Sequence, residues 1–168
     1  MPRLRHLYIE GYPYFVTAAT GGRKVFSDAQ SANILLSCIY HARKVGWYLL
    51  LSFVIMPEHL HMIIVPRTKN ISQIMKSIKG YSARLINLNI RNRGSIWQDG
   101  FYDYILDTQG KLLTKLEYIQ NNPVKEGLTK EPELYFYSSA YRPDSTDLNV
   151  YLNNSAAGQE CPAYPVSK

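Results

Sequence analysis

Two histidines two residues apart, His59 and His61, and a tyrosine and an asparagine four apart, Tyr118 and Asn122, have the types and spacings from which a metal-assisted attack on phosphate can be built. On a strand, His59 and His61 point to one face while Leu60, Met62 and Ile64 point to the other, leaving two imidazoles side by side on an open face. Paired imidazoles hold a divalent metal when a third ligand and water complete the shell. On a helix, Lys111, Lys115, Tyr118 and Asn122 fall in one narrow sector, and Leu112, Leu113, Leu116 and Ile119 in another that packs on the core. A phenol is a weak nucleophile at neutral pH, its unperturbed pKa being about 10. A metal and an ammonium group beside it favour the phenolate, and the metal polarises a phosphate under attack. Asn122 can offer its side-chain oxygen as the third ligand, and Lys115 can stabilise charge on a pentavalent phosphorus.

The same residues admit plainer readings. The histidine pair can be ordinary polar residues of an exposed sheet face. With 14 tyrosines in the chain, one near a helix end is unremarkable. Asn122 before Pro123 can simply close a helix, and Lys115 can face solvent without a role. Local spacing alone does not choose between these.

The elements that must position these groups follow from hydrophobic period and turn residues. Tyr14–Thr20 reads as a strand turned by Gly21-Gly22. Ser27 is the expected N-cap of a helix that carries Ile34, Leu35, Cys38, Ile39, Ala42 and Val45 inward and stops at Gly46. Trp47–Met56 and His59–Val65 read as strands joined at Pro57-Glu58. A second helix is expected over Ile71–Asn89 with Ile71, Ile74, Met75, Ile78, Leu85 and Ile86 inward. Ile96–Asp107 reads as a strand or strand pair. A third helix over Thr108–Asn122 is expected to end before Pro123. This is a β-α-β-β-α-β order with an added helix: an α+β protein with its helices on one face of a mainly antiparallel sheet. A single domain over 1–142 is expected, followed by a flexible or loosely packed tail over 143–168, where Asp, Ser, Asn, Gly and Pro take over.

Charge is one-signed where it is densest. Between His59 and Gln98 lie Arg67, Lys69, Lys76, Lys79, Arg84, Arg91 and Arg93 with no Asp or Glu, so this stretch holds +7 of a chain whose net charge is +6. Such clustering fits a phosphate-backbone partner better than a basic face that is merely solvated. Lys76, Lys79, Arg84, Arg91 and Arg93 are the candidate backbone contacts. Arg3, Arg5 and His6, on a short N-terminal arm, are candidates for a hairpin foot or groove. Tyr8, Tyr12, Tyr102 and Tyr104 are candidates for stacking on unpaired bases, burial in strands being the commoner fate of the last two. No apolar run reaches membrane-spanning length, the start lacks the apolar stretch of a signal peptide, and Cys38 and Cys161 make no disulfide framework. A cytoplasmic protein with no membrane partner is expected.

Taken together, Met56-Pro57-Glu58-His59-Leu60-His61 and Tyr118-Ile119-Gln120-Asn121-Asn122-Pro123-Val124-Lys125-Glu126-Gly127-Leu128 resemble the REP-associated tyrosine transposases. These are relatives of the IS200-type transposases within the HUH endonuclease superfamily. The similarity also takes in Tyr14–Thr17, Arg23–Phe26, Ile96–Phe101 and Tyr137–Ser139, and so runs from about Tyr12 to Ser139. The resemblance implies a ferredoxin-like core, His59 and His61 as metal ligands, Tyr118 as nucleophile and Asn122 at the third-ligand position, which is glutamine in the insertion-sequence relatives. Glu58 stands where many relatives have aspartate. It further implies cleavage of single-stranded DNA beside repeats that fold into hairpins. The products are a 5′-phosphotyrosine link and a free 3′-hydroxyl, with Mg²⁺ or Mn²⁺ and no nucleotide cofactor. A monomer is expected, with a homodimer possible, since the insertion-sequence relatives exchange catalytic helices in dimers. The competing readings are a hairpin-binding regulator that does not cleave, and a small-molecule hydrolase with a histidine-bound metal, against which the basic stretch speaks.

Overall fold

β1 (Tyr14–Ala19), α1 (Ala29–Lys44), β2 (Tyr48–Ile55), β3 (His59–Pro66), α2 (Ile71–Asn89) and β4 (Tyr102–Ile105) follow in the expected order in the computed structural model, which describes residues 9–91 and 93–156. The sheet order is β2-β3-β1-β4 and each neighbouring pair is antiparallel, which is the ferredoxin-like α+β arrangement. α3 (Gln109–Lys125) and α4 (Leu148–Ala156) are added to it. Among the described residues no helix is long and apolar enough to cross a membrane.

Strand alternation sorts the core into two layers. Tyr14, Val16, Ala18, Leu60, Met62 and Ile64 pack under α1 and α2. Phe15, Ile63 and Val65 point the other way and meet Leu112, Leu116 and Ile119 of α3 and Tyr151 of α4. A bulge between Leu50 and Ser52 shifts the alternation in β2 by one residue, so that Leu50 and Phe53 both face α1 and α2. The face that carries the histidines is therefore covered by α3, and His61 is buried rather than on an open face.

Several local expectations give way to packing. Asp28, not Ser27, caps α1, accepting from Ser31 N and Ser31 Oγ, both at 2.8 Å. α3 runs through Pro123 to Lys125. The proline sits in the last turn, where it forfeits a single hydrogen bond. The stop comes at Gly127, whose φ of 69° suits a helix-ending turn. Of Ile96–Asp107 only Tyr102–Ile105 is strand. Ile96 and Trp97 are buried in loop instead, with Trp97 Nε1 donating to Ser82 Oγ at 3.0 Å. Leu85 and Leu113, expected inward, are exposed.

Of the segment after Arg142, residues 143–156 are firmer than their composition suggests, and 157–168 lie outside the described residues. Asp147 accepts from Arg43 Nε at 2.9 Å, Arg43 Nη2 at 2.6 Å and Leu50 N at 2.9 Å, and Tyr151 is fully buried. Upstream of it, Ser139 N donates to Phe53 O and Tyr137 O accepts from Ile55 N, both at 2.9 Å. Residues 137–147 thus pair with the outer edge of β2, which would otherwise expose a row of backbone donors and acceptors. A tail that answers an open strand edge is held there by that edge, whatever its composition. Asp147→Ala leaves the Arg43 fork and the Leu50 amide without their acceptor and should lower stability by about 1–3 kcal/mol, read as a lower urea midpoint. A midpoint equal to wild type would make the tail an ornament.

Candidate active site

β3 places His59 and His61 on the α3 side of the sheet, with ring centroids 4.5 Å apart. Thr17 on β1 lies opposite His61 in register, and Thr17 Oγ1 is 2.8 Å from His61 Nδ1. In the tautomer where Nδ1–H donates to this oxygen, Nε2 keeps its lone pair for a metal. Phe15 stacks on His61 with centroids 5.2 Å apart and planes 27° apart, which fixes the ring plane as well.

α3 brings the phenol to this pair because Leu112, Leu116 and Ile119 anchor its apolar stripe on the sheet. The Tyr118 ring, half-buried, lies 5.4 Å from His61 and 5.9 Å from Phe15. Lys115 Nζ sits 4.6 Å from the Tyr118 centroid, 4.5 Å from Phe15 and 5.5 Å from Tyr104. Lys125 Nζ stands 5.4 Å from the Tyr118 ring. The phenol is therefore flanked by two ammonium groups from its own helix.

One turn beyond Tyr118, Asn122 is buried. Its amide is close enough to His59 to favour the charged imidazole, yet Oδ1 meets no donor with hydrogen-bond geometry. A buried carbonyl oxygen without a partner is costly. Beside the His59 imidazole it is the acceptor that a cation would satisfy. The donor set of two nitrogens and one amide oxygen fits a divalent ion with open positions left for water or phosphate. Among the described residues no group of three or more His, Cys, Asp or Glu could hold a metal, so an ion here depends on the asparagine oxygen.

Burial lowers the pKa of His59, opposed by Glu126, Glu58 and the Asn122 amide. Burial, then His59 and Lys115, pushes His61 down to about 3. Both rings are neutral at neutral pH, as ligation needs. His61 also couples stability to pH. The unfolded chain binds a proton below its ordinary value of 6.5 while the folded chain resists until about 3. Stability is full above the first value and falls as pH drops toward the second, by about 1.4 kcal/mol per unit within the window. His61→Gln should flatten this slope in urea titrations from neutral to acidic pH. An unchanged slope would mean that protons reach the ring freely.

The basic candidates of α2 do not share this face. Lys76 and Arg84 are exposed on α2 and line a shallow groove with Lys69, Gln73 and Tyr81, on the opposite side of the sheet from Tyr118. Arg91 and Arg93 follow the end of α2, Arg91 at a φ of 51°. Lys79 is engaged within the fold instead. Its Nζ donates to Gln98 O at 2.7 Å and to Gly100 O, clamping the 98–100 loop to α2. Lys111 is held by Asp107 at 2.6 Å and takes no place beside the phenol. Arg3, Arg5, His6 and Tyr8 lie outside the described residues. Thr17, Phe15, Lys125 and Glu126 are the site residues that spacing did not single out.

Residues 10–122, more than half of the chain, match the family model described as transposase, IS200 like, and the chain belongs to that family of DNA-processing enzymes. Its sequence is similar to that of the REP-associated tyrosine transposase of Escherichia coli (strain K12), 24% identical over 144 residues and covering 84% of each chain. Among solved structures, that of a REP-associated tyrosine transposase bound to a REP hairpin superposes with a TM-score of 0.71 at 21% identity, over 99% of this chain and 93% of the other. The branch read from the two motifs is thus the one the chain is similar to in sequence and in fold.

Proposed function

We propose that this chain is a metal-dependent single-stranded DNA endonuclease and strand transferase acting at hairpin-forming repeats through Tyr118. The observation that carries the reading is the meeting of three groups from distant parts of the sequence: the Tyr118 ring 5.4 Å from His61, the paired imidazoles, and the unsatisfied Asn122 oxygen. Membership of a transposase family and the hairpin held by the structural relative supply the substrate class.

In this reading the Tyr118 oxygen attacks the scissile phosphorus and the bond to the 3′ oxygen breaks. The products are a 5′-phosphotyrosine and a free 3′-hydroxyl, the phenolic proton being released to solvent and the departing 3′ oxygen taking one up from it. Attack by a 3′-hydroxyl on the phosphotyrosine reverses the step and joins strands. Lys115 and Lys125 stabilise the charge that builds on the phosphate oxygens. His59, His61 and Asn122 would hold Mg²⁺ or Mn²⁺, which would supply Lewis-acid polarisation of the phosphate. Thr17 and Phe15 orient His61. Lys76 and Arg84, with Lys69, take backbone phosphates, and Arg91 and Arg93 extend that surface. Tyr118 faces imidazoles of its own chain, so one copy holds every proposed group and a monomer suffices.

The test is one denaturing gel. A labelled DNA hairpin with single-stranded flanks is incubated with the protein in Mn²⁺, in Mg²⁺ and in EDTA. The expected result is a denaturation-resistant adduct, in metal only, with the fragment on the 3′ side of the break, joined through its 5′ phosphate. Salt-sensitive binding without any adduct would favour a non-cleaving hairpin-binding regulator.

A further inference from the structure

β4 carries two tyrosines that the proposed chemistry does not use. Tyr102 and Tyr104 are two residues apart on a strand and so share a face, with ring centroids 6.1 Å apart. Pairing with β1 identifies the face. Tyr104 is opposite Phe15 and Tyr102 is opposite Thr17, and Thr17 is in turn opposite His61. The two rings therefore continue the rows that contain the candidate ligand and the ring stacked on it, on the Tyr118 side of the sheet.

Packing accounts for only one of them in part. Tyr104 leans on Phe15 at 5.7 Å, whereas Tyr102 is 55% exposed. β4 is also the outer strand of the sheet, so the track is open along one side. A large aromatic left out of the core on an edge strand beside a phosphate-handling site asks for a flat apolar ligand. A cation covers the inner end of the track: Lys115 Nζ is 5.5 Å from the Tyr104 ring. Asp103, between the two tyrosines, alternates to the other face of the sheet.

We propose that Tyr102 and Tyr104 form a stacking track for the unpaired nucleobases next to the phosphate that Tyr118 attacks, an inference that rests on the nuclease reading for the placement of that phosphate. The ligand is single-stranded DNA, held by its base faces on the tyrosines and by its backbone under Lys115. Duplex DNA does not fit, because its bases are already stacked on one another. Stacking of this kind tolerates any base, since each has a π-face. The track thus selects for unpaired structure at the cleavage position, not for sequence.

The test separates stacking from phosphate binding and needs no cleavage. Full-length protein in EDTA is titrated with oligothymidylate and with a strand of equal length carrying abasic positions. Phosphate contacts are common to both, so the ratio of affinities reads the bases alone. Wild type should prefer the thymidylate by about tenfold, one or two stacked bases being worth that much. Tyr102→Leu, which keeps apolar bulk but no ring, and the Tyr102→Leu/Tyr104→Leu pair should bring the ratio toward one. Tyr102→Phe and Tyr104→Phe should preserve it, and Tyr141→Ala, an exposed tyrosine on the segment along the β2 edge of the sheet, the far edge from β4, should leave it alone. A ratio unchanged in the double leucine variant, or lost equally in Tyr141→Ala, overturns the proposal. The adduct gel is scored separately. An adduct with an unchanged ratio removes the track only, and a tyrosine-dependent ratio without an adduct removes only the cleavage reading.

Discussion

Tyr118→Phe should abolish the covalent protein–DNA adduct altogether while leaving hairpin affinity within about twofold, because phosphate contacts elsewhere set most of the binding energy. The deleted atom is the one that becomes bonded to phosphorus, so no neighbour can compensate as a second base might in a proton-transfer role. What the substitution keeps matters as much. The ring still meets Phe15 and His61 edge-on, and Lys115 and Lys125 still lie over an aromatic face. Stability should therefore change by less than about 1 kcal/mol. The measurement is adduct yield on a denaturing gel beside a Kd from the same preparation. Normal adduct in the phenylalanine variant would move the nucleophile elsewhere, whereas loss of adduct together with loss of binding would make Tyr118 a structural or contact residue.

Why this tyrosine stands out among 14 has a physical answer, and so does the silence of the sequence about its neighbours. The apolar stripe of α3 fixes which side of the helix meets the sheet, and the adjoining sector with Tyr118 and Asn122 then faces the rim of that contact. The alternation in β3 likewise assigns Leu60, Met62 and Ile64 to one layer and the histidines to the other. Both are periodicities within one element, which a sequence displays. Thr17 is different. It becomes a partner of His61 only through the register between β1 and β3, and register is a relation between elements that no local pattern states. Lys125 is hidden by a local rule applied too strictly. It follows Tyr118 by seven residues, two turns along the same face, but a helix ended at Pro123 has no such turn. Lys79 shows the reverse error: charge clustering marks it for phosphate, while two backbone carbonyls of a loop with little secondary structure of its own claim its ammonium. The tail after Arg142 is polar in composition, yet the open edge of β2 supplies partners that composition cannot reveal.

Removing both imidazoles, as His59→Ala/His61→Ala, should reduce metal-dependent cleavage to background and weaken hairpin binding by less than about threefold, since the positioning contacts lie on other residues. Chelation of wild type with EDTA should give the same phenotype, and added Mn²⁺ should restore wild type but not the variant. The pair is expected to act as one unit, so His61→Ala alone should lose nearly as much as both. Its ring is the more deeply buried of the two, and the Thr17 hydroxyl on the neighbouring strand holds it in place. Thr17→Val tests that orientation without touching a ligand. It keeps the shape beside His61 and removes the oxygen 2.8 Å from Nδ1, and should weaken Mn²⁺ binding by about 10–100-fold, read by calorimetry on protein without DNA. Thr17→Ser, which returns the hydroxyl, should recover most of the loss. If valine binds Mn²⁺ as threonine does, His61 is held by Phe15 and burial alone. If the histidine double variant still cleaves in metal, the ion sits elsewhere and the unsatisfied Asn122 oxygen needs another partner.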